Sequence, residues 1–183
     1  MAVRHTLRWL GSVLAIAGAG VLLWSLSSGW FTNTGSQSTG AVQLVIDFGS
    51  NSGKSTIEAT VPNFRGTGWQ LLTRAGLQVE GTDEYPNSFV CRINDWPAAT
   101  EQNCRDTPTY SEGSWKYFIA DKKLGAGWIA SGIGAAAHQT GCGKAEAWLW
   151  VKPELTALGN TSAPATATAL RPAIQPKFYL CNE

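Results

Sequence analysis

From residue 41 onward the chain alternates. Val42, Leu44, Ile46 and Phe48 fall on one side of an extended segment, with Gln43 and Asp47 on the other, the period-two pattern of a half-buried strand. After a polar turn from Ser50 to Lys54, the period resumes at Ile57, Ala59 and Val61, and the pair predicts a hairpin. Thr67 and Gln70 then stand at capping-box spacing around Trp69, Leu71, Leu72 and Ala75, which predicts a short helix that Gly76 ends. Alternation returns over Ser88 to Asn94, through Phe89, Cys91 and Ile93, and stops at Asp95-Trp96-Pro97. Over Ser114 to Ala120, Trp115, Tyr117 and Ile119 share one face, and Lys116 and Phe118 the other. A glycine-rich segment from Leu124 to Gly143 leads to a last strand, Lys144 to Val151. A hairpin, a helix and three further strands predict an α+β domain, a β-grasp-like mixed sheet with one crossing helix.

Ahead of this domain the pattern is different. Trp9 to Leu26 is an uncharged run of 18 residues behind Arg4, His5 and Arg8, the threshold length for a transmembrane helix with its N-terminus inside. Trp24, Trp30 and Phe31 suit the outer interface, and Thr32 to Gly40 reads as a polar spacer. Ala17-Gly18-Ala19 also fits a cleavage site, so a removed signal peptide is the alternative. Either way the remainder is expected outside the cytoplasm. Gly11, Ala15 and Ala19 recur every fourth position, a spacing that can pack against another membrane helix. The expected organisation is an anchor over 1–31, a spacer over 32–40, a domain over 41–152 and a tail rich in Ala, Thr and Pro over 153–183.

Charge narrows the function classes. Fourteen basic against 13 acidic residues in 183 is too balanced for a nucleic-acid binder. Four cysteines in an oxidising compartment are expected to pair. Of the three pairings, Cys91 with Cys104 closes a short loop and leaves Cys142 with Cys181, which straps the tail onto the domain. A four-thiolate zinc site would need a CxxC spacing that the chain lacks.

Few residues offer chemistry. Gly49-Ser-Asn-Ser-Gly53-Lys54-Ser55 suggests a phosphate-binding loop, but only three residues separate its glycines and a strand follows, so a hairpin turn is expected. His138 lies in the glycine-rich segment beside Cys142, either as an exposed loop residue or as a ligand to a metal or the cobalt of a corrinoid. No GxSxG element accompanies it, and Asp83-Glu84 reads as a solvated turn. Trp148 and Trp150 stand out, because Ala147, Leu149 and Val151 already supply an apolar face to the last strand. With Trp115, Tyr117 and Trp128 they can form an aromatic platform for a flat ligand or a partner protein. Alternatively the sheet is covered on both sides, by the helix and by the strapped tail. Asn160-Thr161-Ser162 is formally a glycosylation acceptor.

The segments Phe89-Val90-Cys91-Arg92-Ile93, Cys104-Arg105-Asp106-Thr107-Pro108, Trp115-Lys116-Tyr117 and Gly127-Trp128 occur in an order that resembles bacterial secreted domains related to the C-terminal domain of transcobalamin and intrinsic factor. The resemblance spans about residues 41 to 151. It implies a β-grasp-like fold, a Cys91–Cys104 bridge, and corrinoid binding or a link to vitamin or metal uptake. The second cysteine pair and the tail depart from the family pattern and point toward a fixed protein partner. The expected function is a non-enzymatic, membrane-anchored extracytoplasmic binding module acting through Trp115, Tyr117, Trp128, His138, Trp148 and Trp150. The alternative is an accessory subunit of a larger cell-envelope membrane complex. No catalytic residue and no nucleic-acid partner are expected, and no cofactor other than the corrinoid.

Overall fold

The computed structural model describes residues 40–125, 127–153 and 170–181. The expected membrane segment, nearly all of the spacer and Asn160 lie outside the described residues, among which no helix is long and apolar enough to cross a membrane.

The predicted hairpin forms from β1 (Val42–Asp47) and β2 (Ile57–Val61), antiparallel with Val42 opposite Val61. Two short strands, β3 (Gly66–Thr67) and β4 (Val79–Gly81), flank the helix α1 (Gly68–Arg74). The capping box is present: Gln70 N–H donates to Thr67 Oγ1 at 3.2 Å, and Thr67 N–H donates to Gln70 Oε1 at 2.9 Å. Gly76, at φ +80°, takes the left-handed conformation that follows the helix end. After β5 (Val90–Ile93) come β6 (Ser114–Asp121), β7 (Ile129–Ala130), β8 (Gln139–Thr140) and β9 (Lys144–Val151). The result is a mixed α+β fold whose main sheet runs β2-β1-β9-β6-β7, with β1 and β9 parallel and the other pairs antiparallel.

Two expectations need correcting. The strand near Ser88 to Asn94 does not join the main sheet. Instead β5 pairs with β4, and this ribbon brings Val79, Val90 and Ile93 onto the same face as α1. The edge next to β6 is taken by β7, out of the glycine-rich segment. Nor is β1 half-buried, since all six of its residues are buried. It is an inner strand with both faces covered, the condition that parallel neighbours usually require.

The two faces have separate cores. Val42, Leu44, Ile46, Leu71, Leu72, Trp115, Trp148 and Trp150 fill the α1 side, while Val45, Phe118, Trp128, Ala147 and Leu149 fill the other. Each fully buried large apolar side chain contributes roughly 1.5–3 kcal/mol. The second face is closed by the chain's own C-terminal segment, where Leu170, Ile174 and Phe178 pack. Both predicted disulfides are formed: Cys91–Cys104, and Cys142–Cys181 at the end of that strap.

Candidate functional site

The β6–β9 register sets Trp115 opposite Trp150 and Tyr117 opposite Trp148. Trp115 meets Trp150 edge-on at 5.5 Å and Phe48 at 5.6 Å, and Tyr117 stacks on Trp148 at 4.7 Å. Exposure decides their role: Trp115, Trp148 and Trp150 keep only 6%, 4% and 7% of their surface. Trp128, at 5%, belongs to the opposite face, where its Nε1–H donates to Ile174 O at 2.7 Å. The five aromatic residues therefore do not form one open platform. They are divided between two covered faces, because α1 with the β4–β5 ribbon closes one and the strap closes the other.

His138, Tyr117 and Trp148 do come together, around a residue that the sequence did not single out. Glu146 is fully buried on β9, and its Oε1 lies 3.1 Å from His138 Nδ1. Tyr117 Oη lies 3.0 Å from the same nitrogen. Burial first, and then the neighbouring Glu146 charge, push the Tyr117 pKa well above the ordinary tyrosine range. Glu146 Oε2 has no hydrogen bond of its own. The cluster sits under the start of α1, where Gly68 leaves room for it: a methyl at that position would run into Tyr117 Oη and Glu146 Oε2. The loop carrying His138 is fastened there as well, since Gly68 and Trp69 N–H donate to His138 O and Ala135 O, both at 3.1 Å. Thus His138 is no free loop residue; its side chain is 13% exposed.

Both partners of His138 address one ring nitrogen, so the imidazole does not relay a proton between them as the middle member of a hydrolase triad does. The arrangement is a fastening device. Nor do these residues offer a corrinoid the accessible aromatic wall that a flat macrocycle needs, since the indoles are core. Among the described residues no group of three or more His, Cys, Asp or Glu side chains is placed to hold a metal ion.

The segment from Gly49 to Ser55 is a hairpin turn, in which Ser52 N–H and Oγ–H donate to Gly49 O at 3.3 and 2.9 Å. The Lys54 ammonium lies 5.7 Å from the ring centres of both Phe48 and Trp96. A cleft of about 1110 Å³ opens between this turn, Trp96, the end of β9 and the start of the strap.

Comparison with protein-family models, with curated proteins and with solved structures finds no match.

Glu146, Gln43 and Asp47 are among the buried polar residues that escaped the sequence reading. A signal for Glu146 exists, since it shares the period of Trp148 and Trp150 and so belongs to a face too apolar to be solvated. For Gln43 and Asp47 no local signal exists, because what covers them is distant in sequence.

Proposed function

We propose that this chain is a non-enzymatic extracytoplasmic module, tethered through its N-terminal segment, that serves as a docking or accessory subunit for a protein partner at the cell envelope. The observation carrying this reading is the burial of Trp115, Trp128, Trp148 and Trp150, which removes the aromatic surface that a flat small ligand would need. Two disulfides suit an oxidising compartment. The domain is assigned to the β-grasp-like class, a reading supported by the order β2-β1-β9-β6, in which the last strand lies parallel to the first and α1 follows the opening hairpin. The kinship with transcobalamin-related secreted domains is retained at the level of fold, without their ligand.

The test is native mass spectrometry of the full-length chain extracted from its own membrane in mild detergent. Co-migration with other membrane subunits in a fixed ratio is the expected result. A lone chain carrying a small molecule would overturn the docking reading in favour of a carrier.

A further inference from the structure

The strap Leu170–Cys181 is held by its main chain. Ala173 N–H donates to Asp47 Oδ2 at 2.9 Å, and Trp128 Nε1–H donates to Ile174 O at 2.7 Å. Gln43 takes both kinds of bond: its Nε2–H donates to Gln175 O at 3.4 Å and its Oε1 accepts from Lys177 N–H at 2.6 Å. Farther along, Phe178 bridges Val42, and Gly40 N–H donates to Leu180 O. Side chains of the sheet thus read the backbone of the strap at successive positions.

Strap side chains supply the rest. Leu170, Ile174 and Phe178 all pack on the cluster of Val45, Phe118, Trp128 and Leu149, the strap bending at Ala173 and Ile174 between them. Backbone hydrogen bonds for affinity, with apolar sites for alternate side chains, are how grooves bind extended peptides. A central strand of the sheet is held differently, by ladder bonds along its length to its neighbours.

We infer that this face is a peptide-binding groove filled by the chain's own strap, and that its exchange partner is a segment of another protein that carries the strap's pattern, apolar residues four positions apart. The gate is the Cys142–Cys181 bridge, whose Cys181 is exposed while Cys142 is half-buried. A dithiol opens it: one thiolate attacks Cys181 Sγ, the S–S bond breaks, and Cys142 leaves as a thiolate that takes up a proton. The reagent's second thiol then attacks the mixed disulfide and releases Cys181 as a thiol. The dithiol is oxidised to its disulfide and two protein thiols are formed. The inference rests on the docking reading only for the existence of a partner.

The experiment uses the detergent-solubilised full chain with a protease site inserted between residues 154 and 169, cut after folding so that only the disulfide and the groove retain the strap. The probe is a fluorescein-labelled synthetic peptide of residues 170–180, followed by fluorescence polarisation with and without dithiothreitol. Expected are no binding to the oxidised protein and saturable binding after reduction. Binding should weaken about tenfold for a probe N-methylated at Ala173, which lacks the N–H that meets Asp47, and similarly for a probe with Phe178→Ala. A strap that fails to exchange over a day in excess probe overturns the inference. So does loss of far-ultraviolet circular dichroism as the strap leaves, which would mean that the sheet does not survive without it. Neither result bears on co-migration in native mass spectrometry, so the docking reading stands or falls separately.

Discussion

Gly68→Ala sets helix propensity against packing. On propensity alone, alanine in place of glycine stabilises a helix by up to about 1 kcal/mol. At this first position of α1 the added methyl stands well inside contact distance of Tyr117 Oη and Glu146 Oε2, and 3.1 Å from Ala135 Cβ. None of these is the free end of a flexible surface chain: Glu146 is fully buried, and Tyr117 is stacked on Trp148. Relief must come from shifting α1 or breaking the Glu146–His138 contact, and overpacking of this kind costs roughly 1–3 kcal/mol. The net expectation is a loss of about 2 kcal/mol, or about 8 °C in Tm for a domain of this size. Urea and thermal unfolding followed by circular dichroism measure it. Tyr117→Phe removes the nearest obstructing atom, so the double variant Gly68→Ala/Tyr117→Phe should recover about 1 kcal/mol relative to additivity. A Gly68→Ala protein more stable than the parent, or strictly additive behaviour, would refute the packing argument.

Removing the strap bridge with Cys142→Ser/Cys181→Ser should cost about 4 kcal/mol, against about 3 kcal/mol for Cys91→Ser/Cys104→Ser; these follow from loops of 39 and 13 residues and are read from denaturant midpoints. An equal loss from both pairs would contradict the chain-entropy ordering. Trp148→Ala should cost about 3–5 kcal/mol, as for any buried large aromatic, and a near-zero change in thermal unfolding would mean that the indole is exposed after all. The strap should show a broad pH window. Glu58 is held below its ordinary pKa by hydrogen bonds from Lys177 and then Gln43, so its contribution is present above the ordinary glutamate value and lost as pH falls through the lowered one. Lys177 is held above its ordinary pKa by Glu58, so its share is present below the ordinary lysine value and lost as pH rises through the raised one. Hydrogen exchange at the Ala173 and Lys177 amides, corrected for intrinsic rates, should be slowest between about pH 5 and 10, and protection unchanged down to pH 2 would count against this pair as a fastener.

What was legible in the sequence was local. Thr67 and Gln70 specify the start of α1 through their own backbone contacts, and the alternation of Val42 to Phe48 and of Ile57 to Val61 specifies a hairpin. The placement of β5 was not legible, because a short alternating run says that one face is buried without saying against what. Likewise β7 and β8 are two residues each, too short for any period to declare itself.

The burial of the aromatic residues is more instructive. Trp148 and Trp150 read as a surplus of aromatic side chains because the opposite face of their strand was already apolar, which left two readings open, an exposed platform or a sheet covered on both sides. In this fold the sheet has two covered faces, and the covering of the second comes from residues 170–181, far from everything they cover. Once both faces are closed, pairing inside matters, since leaving a buried polar group unpaired costs about 1–3 kcal/mol. Gln43 and Asp47 are paired to strap amides and carbonyls, and Glu146 to His138. The polar positions of the alternation are thus fasteners between segments distant in sequence, and their identity follows from the covering element. Replacing Gln43 with an equally buried leucine would strand Lys177 N–H and Gln175 O, loosening the strap without touching the α1 face.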